Sequence, residues 1–238
     1  RHALRTLDDA LALRAELVPG AAVVIVGGGF LGCELAATAR KLGCEMTVVA
    51  RQPLPLLDPL GRDLAHQLMT RHQREGVRFR CGATVRSILG ADSVTAVELD
   101  TGEVLPADLL VEAVGSRYNT AWLHGNDVDL ADGVRTDSAL RVLRTGGSPW
   151  LDVHAVGDVA RFPHGRYGGL VRAVPHWNIP TETARRAGRV IAARLGGDPA
   201  EYERAVAEPF SPVPSFWSDQ YDLHLLAFGL LDLADDIR

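Results

Sequence analysis

The sequence predicts an α/β protein with a parallel β-sheet at its centre. Residues 21–26 form a continuous apolar run, AAVVIV, which is typical of a strand buried on both faces of a sheet. A glycine turn follows, and residues 31–42 predict a helix that ends before Gly43. Residues 45–50, EMTVVA, predict a second strand. This strand–helix–strand order within roughly 30 residues indicates a Rossmann-like βαβ unit.

The other predicted elements lie on either side of this unit in the chain. Residues 3–17 show helical periodicity, and Thr6 is placed to cap the N-terminus of that helix. Alternating apolar character over three short segments predicts an antiparallel β-meander at 84–89, 94–99 and 103–105. The remaining predictions are, in order, a loop at 51–61, a helix at 63–75, strands at 77–80 and 108–114, a mostly irregular region at 116–150, a strand at 151–156, a helix at 180–195 and a Pro-rich linker at 209–216.

The composition is that of an ordinary globular protein. The chain has 238 residues, 47% of them apolar and 23% charged, and 25 Lys and Arg against 30 Asp and Glu give a formal net charge of −5. These values exclude disordered and disulfide-rich classes. We expect no nucleic-acid partner because the chain has no basic surplus, and no membrane partner because no apolar stretch is long enough to span a bilayer.

The spacing of the cysteines and histidines indicates neither a redox dithiol nor a metal site. Cys33, Cys44 and Cys81 have no C-x-x-C spacing, which favours a reducing cytoplasm and argues against a redox dithiol. The histidines show no metal-ligand spacing, so no metal site is predicted.

The strongest local signal is a G-x-G-x-x-G motif between the first strand and the first helix of the βαβ unit. It consists of Gly27, Gly28, Gly29, Phe30, Leu31 and Gly32. The first glycine permits the tight turn, Gly29 lets the backbone approach a pyrophosphate, and Gly32 lets the helix pack close to the strand. The motif therefore predicts a dinucleotide site, with a glycine-rich turn in a protein that binds no nucleotide as the alternative.

The end of the second strand indicates which dinucleotide is bound. NAD sites usually place a carboxylate there for the ribose 2′-hydroxyl. Here the position is Ala50, followed by Arg51. A nearby guanidinium favours the 2′-phosphate of NADP, although Arg51 as a solvated loop charge is the alternative.

Two further glycines follow predicted strands and are weaker signals. Gly115 ends the strand at 108–114, where a glycine allows a ligand to approach the sheet edge. Gly157 and Asp158 follow the strand at 151–156, and Asp158 is either a sugar-binding or ribityl-binding carboxylate or the cap of a local turn.

Several segments together resemble one family, the FAD-dependent, NAD(P)H-dependent ferredoxin reductases that serve bacterial oxygenases and cytochromes P450. Rubredoxin reductases and apoptosis-inducing factor share this architecture. In chain order the segments are RTLDDALALR, VVIVGGGFLGCELA, VGSRYNT, VHAVGDVARF, PHWNIPTE and PSFWSDQYDL. The resemblance implies a two-dinucleotide flavoprotein in which an NAD(P) domain interrupts the FAD domain. Its segments would be 1–19 and 138–208 for the FAD domain, 20–137 for the NAD(P) domain and 209–238 for the start of a C-terminal domain.

The resemblance also implies cofactors, a partner and residue roles. The cofactors would be FAD and NADP or NAD, and the partner a [2Fe-2S] or similar ferredoxin, indirectly serving an oxygenase or cytochrome P450. No side chain is needed as a catalytic acid, base or nucleophile. Glu34 would lie near the nicotinamide, Gly115 on the nicotinamide side of the cleft, Asp158 at the ribityl chain, and three side chains near the flavin ring: His176, Trp177 and Trp217.

The sequence departs from the family pattern in three places. The family's second G-x-G-x-x-G motif, for the FAD pyrophosphate, is absent, the chain ends soon after FWSDQY, and Pro175 replaces an acidic residue before His176. An isolated NAD(P)-binding module without flavin is therefore the alternative function. The arginine-rich helix at 185–194 is interpreted first as a solvated face rather than a nucleic-acid surface. As a hypothesis, some of its arginines, with Arg185 and Arg186 as the pair to test, help dock an acidic ferredoxin.

Overall fold

The computed structural model describes residues 1–234. These residues cluster into two compact units. The first unit comprises Arg1–Gly115 together with Ser218–Leu225 and residues 230–234, and the second comprises Ser116–Trp217 together with Leu226–Gly229. The domain boundaries implied by the family resemblance stay predictions.

The first unit contains the predicted βαβ unit. Its helices are α1 (Leu7–Glu16), α2 (Phe30–Lys41) and α3 (Leu57–Arg74). Its strands are β1 (His2–Ala3), β2 (Ala22–Val26), β3 (Glu45–Ala50), β4 (Arg78–Cys81), β5 (Val85–Leu89), β6 (Ala96–Leu99), β7 (Val104–Pro106) and β8 (Leu109–Glu112).

Five of these strands form the predicted parallel sheet, in the order β1-β8-β2-β3-β4. Strand β2 lies at its centre, with Val24 paired to Thr47 on one side and to Leu110 on the other. One face of the sheet packs against α1 and α2, through Leu13 and Ala36. The other face packs against the antiparallel meander β5-β6-β7. Both faces of β2 are therefore buried, as its uninterrupted apolar sequence predicts.

Local signals set most of the helix ends where the sequence predicts them. The hydroxyl of Thr6 accepts a hydrogen bond from the Asp9 N–H at 3.2 Å, and the Asp9 carboxylate accepts one from the Thr6 N–H at 2.8 Å. This capping box confirms the predicted start of α1. The predicted loop at 51–61 is wrong at its end, because α3 begins at Leu57. Non-helical backbone at Gly61 interrupts the helix there, which conceals its first turn from a search for periodicity.

The second unit combines short strands with two helices. The strands are β9 (Val134–Arg135), β10 (Arg141–Leu143), β11 (Pro149–His154), β12 (Ala160–His164) and β13 (Leu170–Arg172). Helix α4 spans Ile179–Gly196 and α5 spans Pro199–Ala207. The chain then forms a two-stranded hairpin of β14 (Ser215–Gln220) and β15 (Leu223–Phe228), of which Ser218–Leu225 belong to the first unit. Helix α4 was predicted within one residue at each end, whereas β12, β13 and α5 were not predicted.

A buried arginine connects three parts of the second unit. Arg186 lies on the inner face of α4 with a relative exposure of 0%. Its guanidinium donates to the carbonyl oxygens of Ser138, Val206 and Glu208 at 3.1, 3.1 and 2.7 Å, and to the Glu208 carboxylate at 3.1 Å. The hypothesis that Arg186 docks a ferredoxin is therefore wrong, because this side chain is enclosed by its own unit. Arg185, its neighbour, is exposed and pairs with Glu182.

Replacing Arg186 with methionine should destabilise the protein. The substitution leaves three carbonyl groups without their donor, and each buried unsatisfied group costs about 1–3 kcal/mol. We expect a decrease in the free energy of unfolding of about 3 kcal/mol or more, measured by urea denaturation. Arg185→Met is the matched control and should change the unfolding midpoint very little. Equal stability of the two variants would contradict this structural role.

Candidate functional site

A pocket of about 670 Å³ opens at the carboxyl ends of β2, β3 and β8 in the first unit. This edge of a parallel sheet is where open α/β folds bind ligands. The pocket is lined mainly by three segments that follow those strands: residues 26–30, residues 49–52 and residues 113–115. Of the predicted site residues, Gly27, Gly28, Gly29, Phe30, Ala50, Arg51 and Gly115 lie on its wall, whereas Leu31, Gly32 and Glu34 lie behind it on α2.

The glycine turn is built by close backbone contacts. Gly27 has φ +123°, and its N–H donates to the Val49 carbonyl oxygen at 2.8 Å. A Cβ atom on Gly27 would overlap the carbonyl oxygen of Ala113 at the end of β8, and a Cβ on Gly32 would overlap the carbonyl oxygen of Gly27. Neither position can therefore carry a side chain, and α2 starts directly against the strand end.

The middle glycine of the motif faces open space. An added Cβ on Gly29 would meet no atom within 4 Å, and its φ of −82° is accessible to any residue. Gly29 is also the N-cap of α2, where it offers no side-chain hydrogen bond, and the first turn contains no acidic residue. The N–H groups of the first helical turn and the positive end of the helix dipole suit a phosphate group at this position.

Gly28 and Ala50 have a packing relation that the sequence analysis missed. A Cβ on Gly28 would lie 2.8 Å from the Cβ of Ala50, so both residues must be small. The Gly28 carbonyl oxygen also accepts a hydrogen bond at 2.9 Å from the N–H of Leu56, at the end of the loop after β3. Ala50 therefore fixes the turn sterically, in addition to leaving the strand end without a carboxylate.

Three polar side chains line the pocket beside Ala50. Arg51 is exposed, and Gln52 donates a short hydrogen bond to the carboxylate of Asp58 at the start of α3. Asp58 was not a predicted site residue, because the region around it was assigned to a loop. The guanidinium of Arg51 and the carboxylate of Asp58 give this end of the pocket groups of both charges.

Behind the pocket, Glu34 belongs to a line of hydrogen-bonded side chains. Its carboxylate accepts a hydrogen bond from the Ser218 hydroxyl at 2.5 Å, and the hydroxyl oxygen accepts one from the Gln220 amide at 2.9 Å. The Gln220 carbonyl oxygen lies 2.7 Å from Nε2 of His72. The sequence analysis named Trp217 in the FWSDQY segment but missed Ser218 and Gln220, whose burial depends on tertiary packing.

Cys33 lies beneath the glycine turn, yet it is unsuited to redox chemistry. Its thiol is fully buried and lies 3.9 Å from the Gly28 carbonyl oxygen. Burial raises the pKa of Cys33 to about 12, so the thiol stays protonated at neutral pH. All three cysteines are free thiols.

The second unit brings together the side chains that the resemblance implies near a flavin ring. The rings of Trp177 and Trp217 stack with centroids 5.0 Å apart and an interplanar angle of 27°. His176 packs edge-on against Phe216 with ring centroids 5.2 Å apart. The two indoles are 69% and 44% exposed, so together they present a flat apolar surface.

Asn178, a residue that the sequence analysis missed, forms hydrogen bonds to the chain on either side of Pro214, just before Trp217. Its amide nitrogen donates to the Val213 carbonyl oxygen at 2.7 Å, and its amide oxygen accepts from the Ser215 N–H at 2.8 Å. These two bonds hold the linker and the start of β14 beside the residues that precede α4.

Gly157 and Asp158 open a short 3₁₀ turn after β11. The N–H of Gly157 donates to the Thr183 hydroxyl of α4 at 2.9 Å, and Asp158 is exposed. The structure therefore presents the Asp158 carboxylate at the surface of a turn that is fixed to α4.

The described residues contain neither a metal-binding cluster nor a membrane-spanning helix. Within residues 1–234, no group of three or more His, Cys, Asp or Glu side chains is placed to hold a metal ion. No helix in the same range combines the length and apolar character needed to cross a membrane.

Comparison with known proteins places the chain in a family. Two relatives are the rhodocoxin reductase of Rhodococcus erythropolis, 33% identical, and the ferredoxin–NAD(+) reductase component of the anthranilate 1,2-dioxygenase system of Burkholderia cepacia, 35% identical. They match over 98% and 96% of this chain but over only 51% and 52% of their own lengths. The chain therefore spans about half the length of these relatives.

A solved structure matches in the same way. The ferredoxin reductase of the CYP199A2 system from Rhodopseudomonas palustris superimposes with a TM-score of 0.80 at 34% identity, over 94% of this chain and 51% of that one. The family model described as pyridine nucleotide-disulphide oxidoreductase matches residues 1–184, which include the glycine turn and both strands that flank it. These matches confirm the resemblance and the fold class read from the sequence, and the chain belongs to the pyridine nucleotide-disulphide oxidoreductase family.

Proposed function

We propose that this chain is part of a flavoprotein that passes electrons from NAD(P)H through FAD to a small iron–sulfur protein serving an oxygenase or cytochrome P450. The observation that carries the proposal is the pocket at the sheet edge, where Gly27 and Gly32 exclude side chains and Gly29 leaves open space before an uncapped helix. A pocket of this volume is ample for part of a dinucleotide.

The nicotinamide nucleotide would lie across this pocket. Its pyrophosphate would occupy the space in front of Gly29 and receive N–H groups from the start of α2. The adenosine ribose would lie beside Ala50 and Arg51, and the nicotinamide beside Gly115. Arg51 supports NADP as the preferred nucleotide, because a guanidinium pairs with a phosphate by charge-assisted hydrogen bonds.

The residues of the second unit fit a flavin. The exposed, stacked rings of Trp177 and Trp217 offer an apolar surface for an isoalloxazine, and Asp158 offers an exposed acceptor for ribityl hydroxyls. With both cofactors bound, the chemistry that they supply is hydride transfer from the nicotinamide, followed by single-electron transfer to the acceptor. The protein's contribution is to bind and orient the two cofactors.

The names of the relatives support an iron–sulfur acceptor. Both relatives described above are reductases named for the protein or oxygenase system that they supply. The buried, protonated Cys33 does not support a disulfide substrate at this site. The free thiols support a cytoplasmic location, which is part of the proposal.

The proposal is tested by titrating the chain with FAD and then with NADPH under anaerobic conditions. We expect a flavin absorption spectrum that stays with the protein during gel filtration and is bleached by NADPH. A colourless chain that still binds NADPH would instead identify a nicotinamide-binding module. Absence of binding to either nucleotide would contradict the proposal as a whole.

Gly29→Ala should separate nucleotide binding from folding. The added methyl group meets no protein atom, so the free energy of unfolding should fall by no more than about 1 kcal/mol, the usual cost of alanine at an N-cap. The methyl group nevertheless occupies the proposed pyrophosphate space, and we expect the dissociation constant for NADP⁺ to rise by about tenfold or more, measured by calorimetry. Gly146→Ala, in the turn between β10 and β11, is the control for an added methyl group, because it too has open space and no positive φ. Unchanged affinity in Gly29→Ala would place the nucleotide elsewhere.

Arg51→Ala should change the choice of nucleotide. Loss of a charge-assisted hydrogen bond costs about 1.5–3 kcal/mol, so NADP⁺ should bind roughly tenfold or more weakly. The affinity for NAD⁺, which has no 2′-phosphate, should not fall. Arg86→Ala, on the meander, is the matched control for loss of an exposed positive charge. Equal weakening of NADP⁺ and NAD⁺ binding would contradict the specificity role of Arg51.

A further inference from the structure

A continuous line of polar side chains crosses the interior of the first unit from α3 to α2. It runs from His72 through Gln220 and Ser218 to Glu34, with heavy-atom distances of 2.7, 2.9 and 2.5 Å. His72 and Gln220 are fully buried, and Ser218 is 1% exposed. Burying polar groups costs free energy unless they are paired. The presence of four hydrogen-bonded polar side chains here therefore indicates a specific role.

The direction of every hydrogen bond in the line is determined by the chemistry of the groups. The Gln220 amide nitrogen can only donate, so it donates to the Ser218 oxygen, and the Ser218 hydroxyl hydrogen is left for the Glu34 carboxylate. The Gln220 carbonyl oxygen can only accept, so His72 donates from Nε2. Burial lowers the pKa of His72, in keeping with a neutral ring that carries its proton on Nε2. All donors therefore point towards Glu34.

Aromatic packing holds the far end of the line in place. The His72 ring meets the rings of Tyr221 and Phe79 edge-on, with centroids 5.0 and 5.8 Å apart. Arg71, the neighbour of His72, forms an ion pair with Asp222 at 2.8 Å and lies over the Tyr221 ring at 4.9 Å. These contacts hold the segment after Ser218 against α3. The side chains of Ser218 and Gln220 are therefore restricted to the orientation that points towards Glu34.

The near end of the line lies next to the nucleotide pocket. Phe30 lines the pocket, and Glu34 follows it by four residues on α2, which places both on one face of the helix. One carboxylate oxygen of Glu34 is engaged by Ser218. Glu34 is only partly buried, so its other oxygen can accept a hydrogen bond from a ligand that extends from the pocket along this face.

We propose that Ser218, Gln220 and His72 are positioning residues that hold the Glu34 carboxylate for the carboxamide N–H₂ group of a bound nicotinamide. This inference rests on the proposed function. The line of donors orients the carboxylate before the ligand arrives, so the hydrogen bond to the carboxamide forms without ordering a flexible side chain. Positioning of the Glu34 carboxylate also explains why the FWSDQY segment has a hydroxyl side chain at Ser218 and an amide side chain at Gln220.

The test compares two ligands that differ only in the nicotinamide ring: NADP⁺ and 2′-phospho-ADP-ribose, or NAD⁺ and ADP-ribose if the wild-type chain binds NAD⁺ more tightly. Ser218→Ala should weaken binding of the complete dinucleotide by about fivefold to tenfold, because the Glu34 carboxylate is still present but must be ordered when the ligand binds. Binding of the ligand without nicotinamide should change less than about twofold. Calorimetric titration of each variant with both ligands gives the two dissociation constants.

Ser87→Ala is the matched control. The Ser87 hydroxyl also donates to a glutamate, Glu98, at 2.6 Å, but this pair lies on the meander. Ser87→Ala should leave the dissociation constants of both ligands unchanged. In a Glu34→Ala background, Ser218→Ala should have no further effect on dinucleotide affinity, because the group that Ser218 positions is gone.

The outcomes distinguish this inference from the function on which it rests. If the wild-type chain binds the dinucleotide but Ser218→Ala binds both ligands as tightly as wild type, the positioning role is wrong and the proposed function stands. Equal weakening of both ligands by Ser218→Ala would likewise overturn the positioning role, since it indicates a general structural effect. If the wild-type chain binds neither ligand, the proposed function fails and this inference fails with it.

Discussion

The architecture depends on three stretches of backbone that meet at Gly27 with no room for a side chain between them. The end of β2, the end of β8 and the start of α2 approach so closely that a Cβ on Gly27 or Gly32 would overlap a carbonyl oxygen. Because α2 starts directly at the strand end, its first N–H groups face the crevice and need no side-chain cap. The same backbone contact therefore joins α2 to the sheet and places the start of α2 at the pocket.

Buried polar side chains connect segments that lie far apart in the sequence. Arg186 joins α4 to the carbonyl groups of Ser138, Val206 and Glu208, and thereby fixes the chain on both sides of the helix. In the first unit, Ser218 and Gln220 join a segment near the end of the chain to α2 and α3. Apolar packing is tolerant of small shifts, but hydrogen bonds have defined distances and directions, so these contacts specify position as well as adding stability.

Prediction from sequence succeeded where a local signal decides the structure. The apolar run of β2, the glycine turn, the Thr6 cap and the alternation of the meander each act over a few residues, and each element formed as predicted. Strand β12 was not predicted, because Arg161 and Pro163 interrupt its apolar pattern. Helix α5 had a signal that was overlooked, since the Asp198 carboxylate caps the Ala200 N–H and Pro199 occupies the first turn.

The sequence by itself determined the βαβ unit, the glycine turn and the family, because glycine spacing and apolar periodicity are set by backbone sterics within one or two elements. Only the tertiary structure decided the state of individual side chains. Arg186 looks like its exposed neighbour Arg185 in the sequence, yet it is enclosed. Ser218 becomes a partner of Glu34 from 184 positions away, and Gln220 a partner of His72 from 148 positions away. Burial and pairing of this kind depend on which surfaces meet when the chain packs, and no local pattern encodes them.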